Sequence, residues 1–324
     1  MLPHAGCRPA IEQPNDPENP VEQPSALRGV IAPVITPFGP DLRPDPGRLV
    51  KLCRWLLAHD AGLAVFGTTS EANSLSVGEK LMLLDALVDS GLPTTRMMPG
   101  TGCCALTDTV ELTRQAVQKG CGGVLMLPPF YYKGVTDDGL FASYSEVIQR
   151  VGDARLRIYL YHIPQVSQIP LSPALIERLL GTYPDTIAGI KDSSGDWNSV
   201  RGLLERFAPR GFAVFPGSEA LLLAAMRGGG AGCISAQANV NPGAIAQLYR
   251  GWQRPDADAQ QAALDALRTA LLKYPMIAAL KALVAHFDGD EAWARVRPPL
   301  VSLDPAQRAA LLASLPGGFA ISGL

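Results

Sequence analysis

Lys191 closes the apolar part of the run IAGIKDSSG at residues 187–195. Four of the first five residues there are apolar or glycine, the pattern of a strand buried on both faces. The lysine stands at the end of that run, just before a polar Ser-Ser-Gly turn. Desolvation lowers a lysine pKa and leaves a free amine able to attack a carbonyl carbon. The same place also suits a lysine that snorkels from a strand end to water. The segment alone leaves both readings open.

Other chemistry-bearing residues also follow apolar runs. Thr68, Thr69 and Glu71 follow residues 62–66, and Tyr131, Tyr132 and Lys133 follow 123–127. Tyr161 and His162 end the run at 158–161, Ser218 follows 212–215, and Ile234 lies in 232–235. A neutral lysine adds to a ketone and expels water to give an iminium, an electron sink for a carbanion on the next carbon. A tyrosine hydroxyl both gives and takes a proton when held in a hydrogen-bonded chain. Two threonine hydroxyls and the N–H groups of a tight turn offer a seat for a carboxylate. A seat for a carboxylate beside an amine that attacks a carbonyl describes a site for a 2-oxo acid such as pyruvate. Each residue also has a plainer reading. A strand-end tyrosine can pack, Thr68 and Thr69 can cap a helix, Glu71 suits a cap better than a ligand, and His162 can fill space behind the site. Their arrival at successive strand ends favours the enzyme.

The elements that must position these residues alternate along the chain. Apolar runs at 30–35, 62–66, 96–99, 123–127, 158–161, 187–190, 212–215 and 232–235 predict eight strands. Between them lie helical patterns. Asp45 before Pro46 reads as an N-cap with proline at the first helical position. Leu49, Leu52, Cys53, Leu56 and Leu57 then form one apolar stripe. Strands that alternate with helices imply parallel neighbours, and eight such units close into a (β/α)8 TIM barrel. An open doubly wound sheet is the alternative, but the first strand ends in Thr-Pro-Phe rather than a glycine-rich nucleotide loop. Three regions follow: a flexible proline-rich tail at 1–28, the barrel at 29–240, and a C-terminal helical region at 241–324. In a barrel the strand ends share one catalytic face.

Of the 324 residues, 47% are hydrophobic and 18% charged, and the net charge is -2. That balance points away from nucleic acid and from anionic membranes. No apolar stretch reaches the length of a membrane span. The six cysteines include no CxxC pair, and no Cys/His cluster has metal-ligand spacing. The expectation is a reduced, cytoplasmic protein without metal, with the adjacent Cys103 and Cys104 as small buried residues.

The chain resembles the dihydrodipicolinate synthase/N-acetylneuraminate lyase family of class I Schiff-base aldolases over residues 28–303. The motifs are PVITPF at 33–38, GTTSE at 67–71, PFYY at 129–132, YLYHIP at 159–164, GIKDSSGD at 189–196, GCIS at 232–235 with Ala238, Asn239 and Val240, and RPPL at 297–300. The resemblance implies that Lys191 forms the imine and Tyr161 shuttles protons beside it. It implies that Thr68 and Thr69 hold the pyruvate carboxylate, with Thr69 also in the proton relay, and that the Ile234 carbonyl faces bound pyruvate. Ser218 joins the substrate-binding set. Tyr131 is expected to reach into a neighbouring subunit's relay, although counting back from Gly139 and Leu140 would give Tyr132 that place. The expected assembly is a homo-oligomer, a dimer of dimers, with no cofactor beyond the Lys191 imine.

Two departures bear on substrate. Val166 stands where the synthase branch has a carboxylate-gripping arginine. Ser70 replaces the usual glycine of the carboxylate loop. The expectation is an aldolase or lyase joining pyruvate or a related 2-oxo acid with an uncharged aldehyde, so that its substrate is a 2-keto-3-deoxy sugar acid or sialic-acid-like compound. The alternatives are dihydrodipicolinate synthase proper, a keto-deoxy sugar diacid dehydratase/decarboxylase, and a non-enzymatic binding relative.

Overall fold

The computed structural model describes residues 26–324. The region expected as a tail lies outside the described residues up to residue 25. Within the described part, the Leu27 N–H already donates to the Tyr159 hydroxyl at 2.7 Å.

Among the described residues, seven parallel strands form two sheets, in the orders β2-β1-β7 and β3-β4-β5-β6. They are β1 (Gly29–Ala32), β2 (Ala61–Leu63), β3 (Val124–Met126), β4 (Ile158–His162), β5 (Ile187–Asp192), β6 (Ala213–Pro216) and β7 (Gly232–Ile234). The predicted third strand is the exception. Residues 97–100 run extended between β2 and β3 but make only single bridges, Leu63 to Met97 and Gly100 to Leu125. Pro99 has no N–H to donate, so a regular ladder cannot form there. The segment still receives both neighbours, with Met98 N to Leu63 O at 2.7 Å and Leu125 N to Pro99 O at 2.9 Å. The eighth position is thus filled by an irregular strand. Regular pairing is open between β6 and β7, where Ala231 N bonds Val214 O at 3.0 Å.

Between and beyond the strands run α1 (Pro46–Ala58), α2 (Val77–Asp89), α3 (Leu106–Gln118), α4 (Asp137–Val151), α5 (Pro164–Ser167), α6 (Pro173–Thr182), α7 (Trp197–Phe207) and α8 (Leu222–Arg227). The C-terminal set is α9 (Pro242–Arg250), α10 (Ala257–Leu271), α11 (Met276–Asp288) and α12 (Pro305–Ala313). Asp45 caps α1 as expected, accepting from Arg48 N at 2.9 Å, with Pro46 at the first helical position.

Strand alternation sorts the core into inside and outside. Ile31, Leu125, Tyr159, Tyr161, Phe215 and Ile234 meet in the barrel interior. Ile158, Leu160, Ile190 and Val214 face the helices. One irregularity in β5 decides the site. Ile158 pairs with Ile187, but Tyr159 pairs with Gly189, so Ala188 is a surplus residue. The bulge resets the alternation, so Ile187 and Ile190 both face the helices and Lys191 comes into register with Tyr161. Gly189 is required here, because a Cβ would meet the Ala213 carbonyl and lie 2.9 Å from the Tyr159 ring.

Candidate active site

The C-terminal strand ends bring Lys191, Tyr161 and Thr68 together. Lys191 is only 4% exposed. Its Nζ lies 4.3 Å from the centre of the Tyr161 ring, and among the described residues no carboxylate or hydrogen-bond acceptor pairs with it. The neighbouring Asp192 is turned to the other face. Its carboxylate accepts from Ser194 N at 2.8 Å, from the Ser194 hydroxyl at 2.5 Å and from the Ser199 hydroxyl at 2.6 Å. A buried amine is thus left over an aromatic ring and, among the described residues, without the counter-ion that would fix it as a structural charge.

The Tyr161 hydroxyl meets Thr68 Oγ1 at 3.1 Å. The resemblance gave the relay to Thr69, so the structure moves that contact one residue back. Thr68–Ser70 is a single 3-10 turn, where successive side chains point about 120° apart, so only one of the two hydroxyls can face Tyr161. The Thr69 hydroxyl has no protein partner among the described residues. Ser70 does not splay the loop. It is buried, its hydroxyl accepts from Gly67 N at 3.2 Å, and its carbonyl accepts from the Thr36 hydroxyl at 2.7 Å.

Glu71, expected as a cap, is instead one end of a buried ion pair. The residue sits in the left-handed region at φ 57°. Its carboxylate pairs with Lys281 of α11, and both side chains are fully buried. Glu71 also accepts from Arg297 N at 2.9 Å, and Lys281 donates to the Arg295 carbonyl at 2.7 Å. Burial pulls the Lys281 pKa down to about 8, against the pull of Glu71. Arg297 makes a two-pronged bond to Glu79 of α2, at 2.9 and 2.5 Å. This bond is the first cause holding the Glu79 pKa down at about 2. The C-terminal region therefore clamps the Thr68–Ser70 turn from behind. Sequence reading missed Lys281, yet a lone lysine in the apolar run MIAALKALVA signals a buried partner.

The remaining residues fall around this centre. Ile234 ends β7 in the barrel interior. Ser218 follows β6, and its hydroxyl accepts from Ala220 N at 3.1 Å as a cap. Next to it, Glu219 is fully buried, accepts from the Ser235 hydroxyl and pairs with Arg268 of α10 at 3.2 Å. Tyr131 and Tyr132 are not brought to Tyr161 within the protomer. They stand on an outer loop, Tyr131 73% exposed, with ring centres 5.3 Å apart and edge to face. Val166 is 59% exposed on α5. Two basic side chains on neighbouring segments are engaged or turned away. Lys133 donates to the Phe130 and Ser167 carbonyls. His162 accepts from Leu171 N at 3.1 Å on the helix side, where burial lowers its pKa against the opposing pull of Asp192. Cys104 is exposed, contrary to the expected buried pair, because it lies in the open turn before α3. Among the described residues no group of side chains could hold a metal, and no single helix is long and apolar enough to cross a membrane.

Comparison with known proteins gives this geometry a lineage. An uncharacterised DapA-like lyase of Chloroflexus aurantiacus is 34% identical over 290 residues, covering 89% of this chain and 95% of that protein. The dihydrodipicolinate synthase of Agrobacterium tumefaciens superposes with a TM-score of 0.81 at 32% identity, over 88% of this chain and 97% of that one. The E. coli protein YagE, solved in complex with pyruvate, gives 0.79 at 26% identity over 88% and 96%. The sequence model of the Dihydrodipicolinate synthetase family matches residues 26–316, and the chain belongs to that family.

Proposed function

We propose that this protein is a carbon–carbon lyase of the class I aldolase type, working through an imine between Lys191 and pyruvate or a related 2-oxo acid. One observation carries the reading: a buried Lys191 amine with no counter-ion among the described residues, against a tyrosine whose hydroxyl is bonded to Thr68. The related E. coli protein holds pyruvate, which supports the choice of 2-oxo acid. The amine adds to the keto carbon, and the carbinolamine loses water to give an iminium. Tyr161 carries the protons for these steps, with Thr68 as its hydrogen-bond partner. Loss of a proton from the methyl carbon gives an enamine. That carbon attacks the aldehyde carbon, the new carbon–carbon bond forms, and the aldehyde oxygen takes up a proton. Water then hydrolyses the imine and frees Lys191. The reverse sequence cleaves the product.

Thr69, whose hydroxyl has no partner among the described residues, and the N–H groups of its turn seat the carboxylate. Ile234 and Ser218 bound the pocket. Tyr131 completes the relay from a second copy in a homo-oligomer, a role that suits a large exposed aromatic on a loop. With Val166 in place of a cation, the aldehyde is uncharged.

Borohydride reduction in the presence of pyruvate should add one reduced pyruvyl mass to the peptide carrying Lys191. Lys191→Ala should take up none. Label on Lys281 or on any other lysine in place of Lys191 would overturn the assignment.

A further inference from the structure

Lys80 on α2 is another buried amine, 4% exposed. Among the described residues it has no carboxylate partner. Its one side-chain acceptor there is the sulfur of Cys103, with Nζ and Sγ 3.9 Å apart. An ammonium taken out of water without a counter-ion is costly, and a thiolate on Cys103 would supply one. Cys103 is half-buried and opens on a cavity of about 70 Å³, shared with Cys104, Thr109, Ser143 and Tyr144. A water needs about 10–15 Å³, so the cavity admits a molecule the size of hydrogen peroxide. Burial raises the Cys103 pKa, and Lys80 opposes that rise.

We propose that Cys103 and Lys80 are a peroxide-sensitive pair that closes into a covalent sulfur–nitrogen bond. The Cys103 thiolate attacks one peroxide oxygen, and the O–O bond breaks. The sulfur is oxidised to a sulfenic acid, and the departing hydroxide takes a proton from the Lys80 ammonium to become water. The amine so freed attacks the sulfur, as nitrogen does in forming a sulfenamide. The N–S bond forms, the S–O bond breaks, and the hydroxyl leaves with a proton from the amine as a second water. One thiolate, one ammonium and one hydrogen peroxide thus give one sulfenamide and two waters. Cys104 is the competing partner. Adjacent Cα atoms are about 3.8 Å apart, closer than the roughly 4.4–6.8 Å that a disulfide usually spans. Lys80 arrives from another element and carries no such constraint. The bond ties α2, whose Glu79 holds Arg297, to the segment whose Gly102 lies beside Tyr161 and Thr68. Nothing in this chemistry depends on the role of Lys191.

The test treats the full chain with hydrogen peroxide and follows it by intact and peptide mass spectrometry. The protein should lose the mass of two hydrogen atoms, and the peptides carrying Lys80 and Cys103 should appear joined. Dithiothreitol should restore both. Cys104→Ser, a change at an exposed residue, should form the same bond to the same extent. Lys80→Met should form none, and its Cys103 sulfenic acid should instead accumulate and take up dimedone, at least tenfold more than in the wild type. A loss of two hydrogens that disappears in Cys104→Ser and persists in Lys80→Met would show a disulfide and overturn the inference. Equal dimedone labelling of Cys103 in wild type and Lys80→Met would overturn it as well, as would a Cys103 left unmodified while Cys104 is oxidised.

Discussion

Replacing Lys281 with methionine keeps the stem of the side chain and removes its charge. Both members of the Glu71–Lys281 pair are fully buried, so solvent screening does not dilute the effect. The lost partner leaves the Glu71 carboxylate with Arg297 N alone. Breaking a buried pair from one side costs about 3–5 kcal/mol, most of it the stranded charge. At about 2 °C per kcal/mol for a chain of this size, the melting temperature should fall by roughly 6–10 °C. The turn carrying Thr68 and Thr69 loses its anchor, so KM for pyruvate should rise as well. Urea denaturation at pH 7 reads the stability term directly. The double variant Glu71→Gln with Lys281→Met removes both charges and should recover more than half of the loss, because neither charge is then stranded. A single variant within about 1 kcal/mol of wild type would refute the reasoning, since that is the range of a solvent-exposed pair. A double variant as unstable as the sum of the singles would refute it too.

Thr68→Val and Tyr161→Phe should both slow borohydride-trapped imine formation, Tyr161→Phe by on the order of a hundredfold and Thr68→Val by less; a wild-type trapping rate in either would remove that hydroxyl from the relay. Glu79 sets an acid limit. The Arg297 bond lowers its pKa to about 2 in the folded protein, so the stabilisation is present above the unfolded value and is lost as pH falls from about 4.5 to about 2, a term of up to about 3 kcal/mol. Glu79→Gln should flatten the stability curve across that window, and an unchanged slope would show that the Arg297 contact is not formed in solution.

The sequence made the barrel legible because each apolar run is followed by a helical pattern, and it made Lys191, Tyr161 and the threonine pair legible because they end those runs. It did not show which threonine meets Tyr161. That depends on the rotation of a three-residue turn, which two adjacent identical residues cannot reveal. The third strand reads as a run of apolar residues, but Pro99 interrupts its ladder, an effect that hydrophobicity does not register. Glu71 looks like a cap from its neighbours in sequence, and its true partner lies 210 residues away. The bulge in β5 was hidden for another reason. Residues 187–190 are all apolar or glycine, so alternation leaves no trace in the letters there.

That bulge means the chemistry of this protein is stored partly as a count. Lys191 is inside the barrel, and Asp192 outside, because one surplus residue makes the tally upstream odd rather than even. Point substitutions leave the tally untouched. Deletion of Ala188 reverses it, turning the amine toward α7 and bringing the carboxylate to the mouth, with almost no change in composition. The active site is therefore guarded against the commonest kind of mutation and vulnerable to a rarer one. In a lineage that drifts toward a non-catalytic scaffold, a one-residue gap in this strand could silence the enzyme while every residue that identifies it still stands in the sequence.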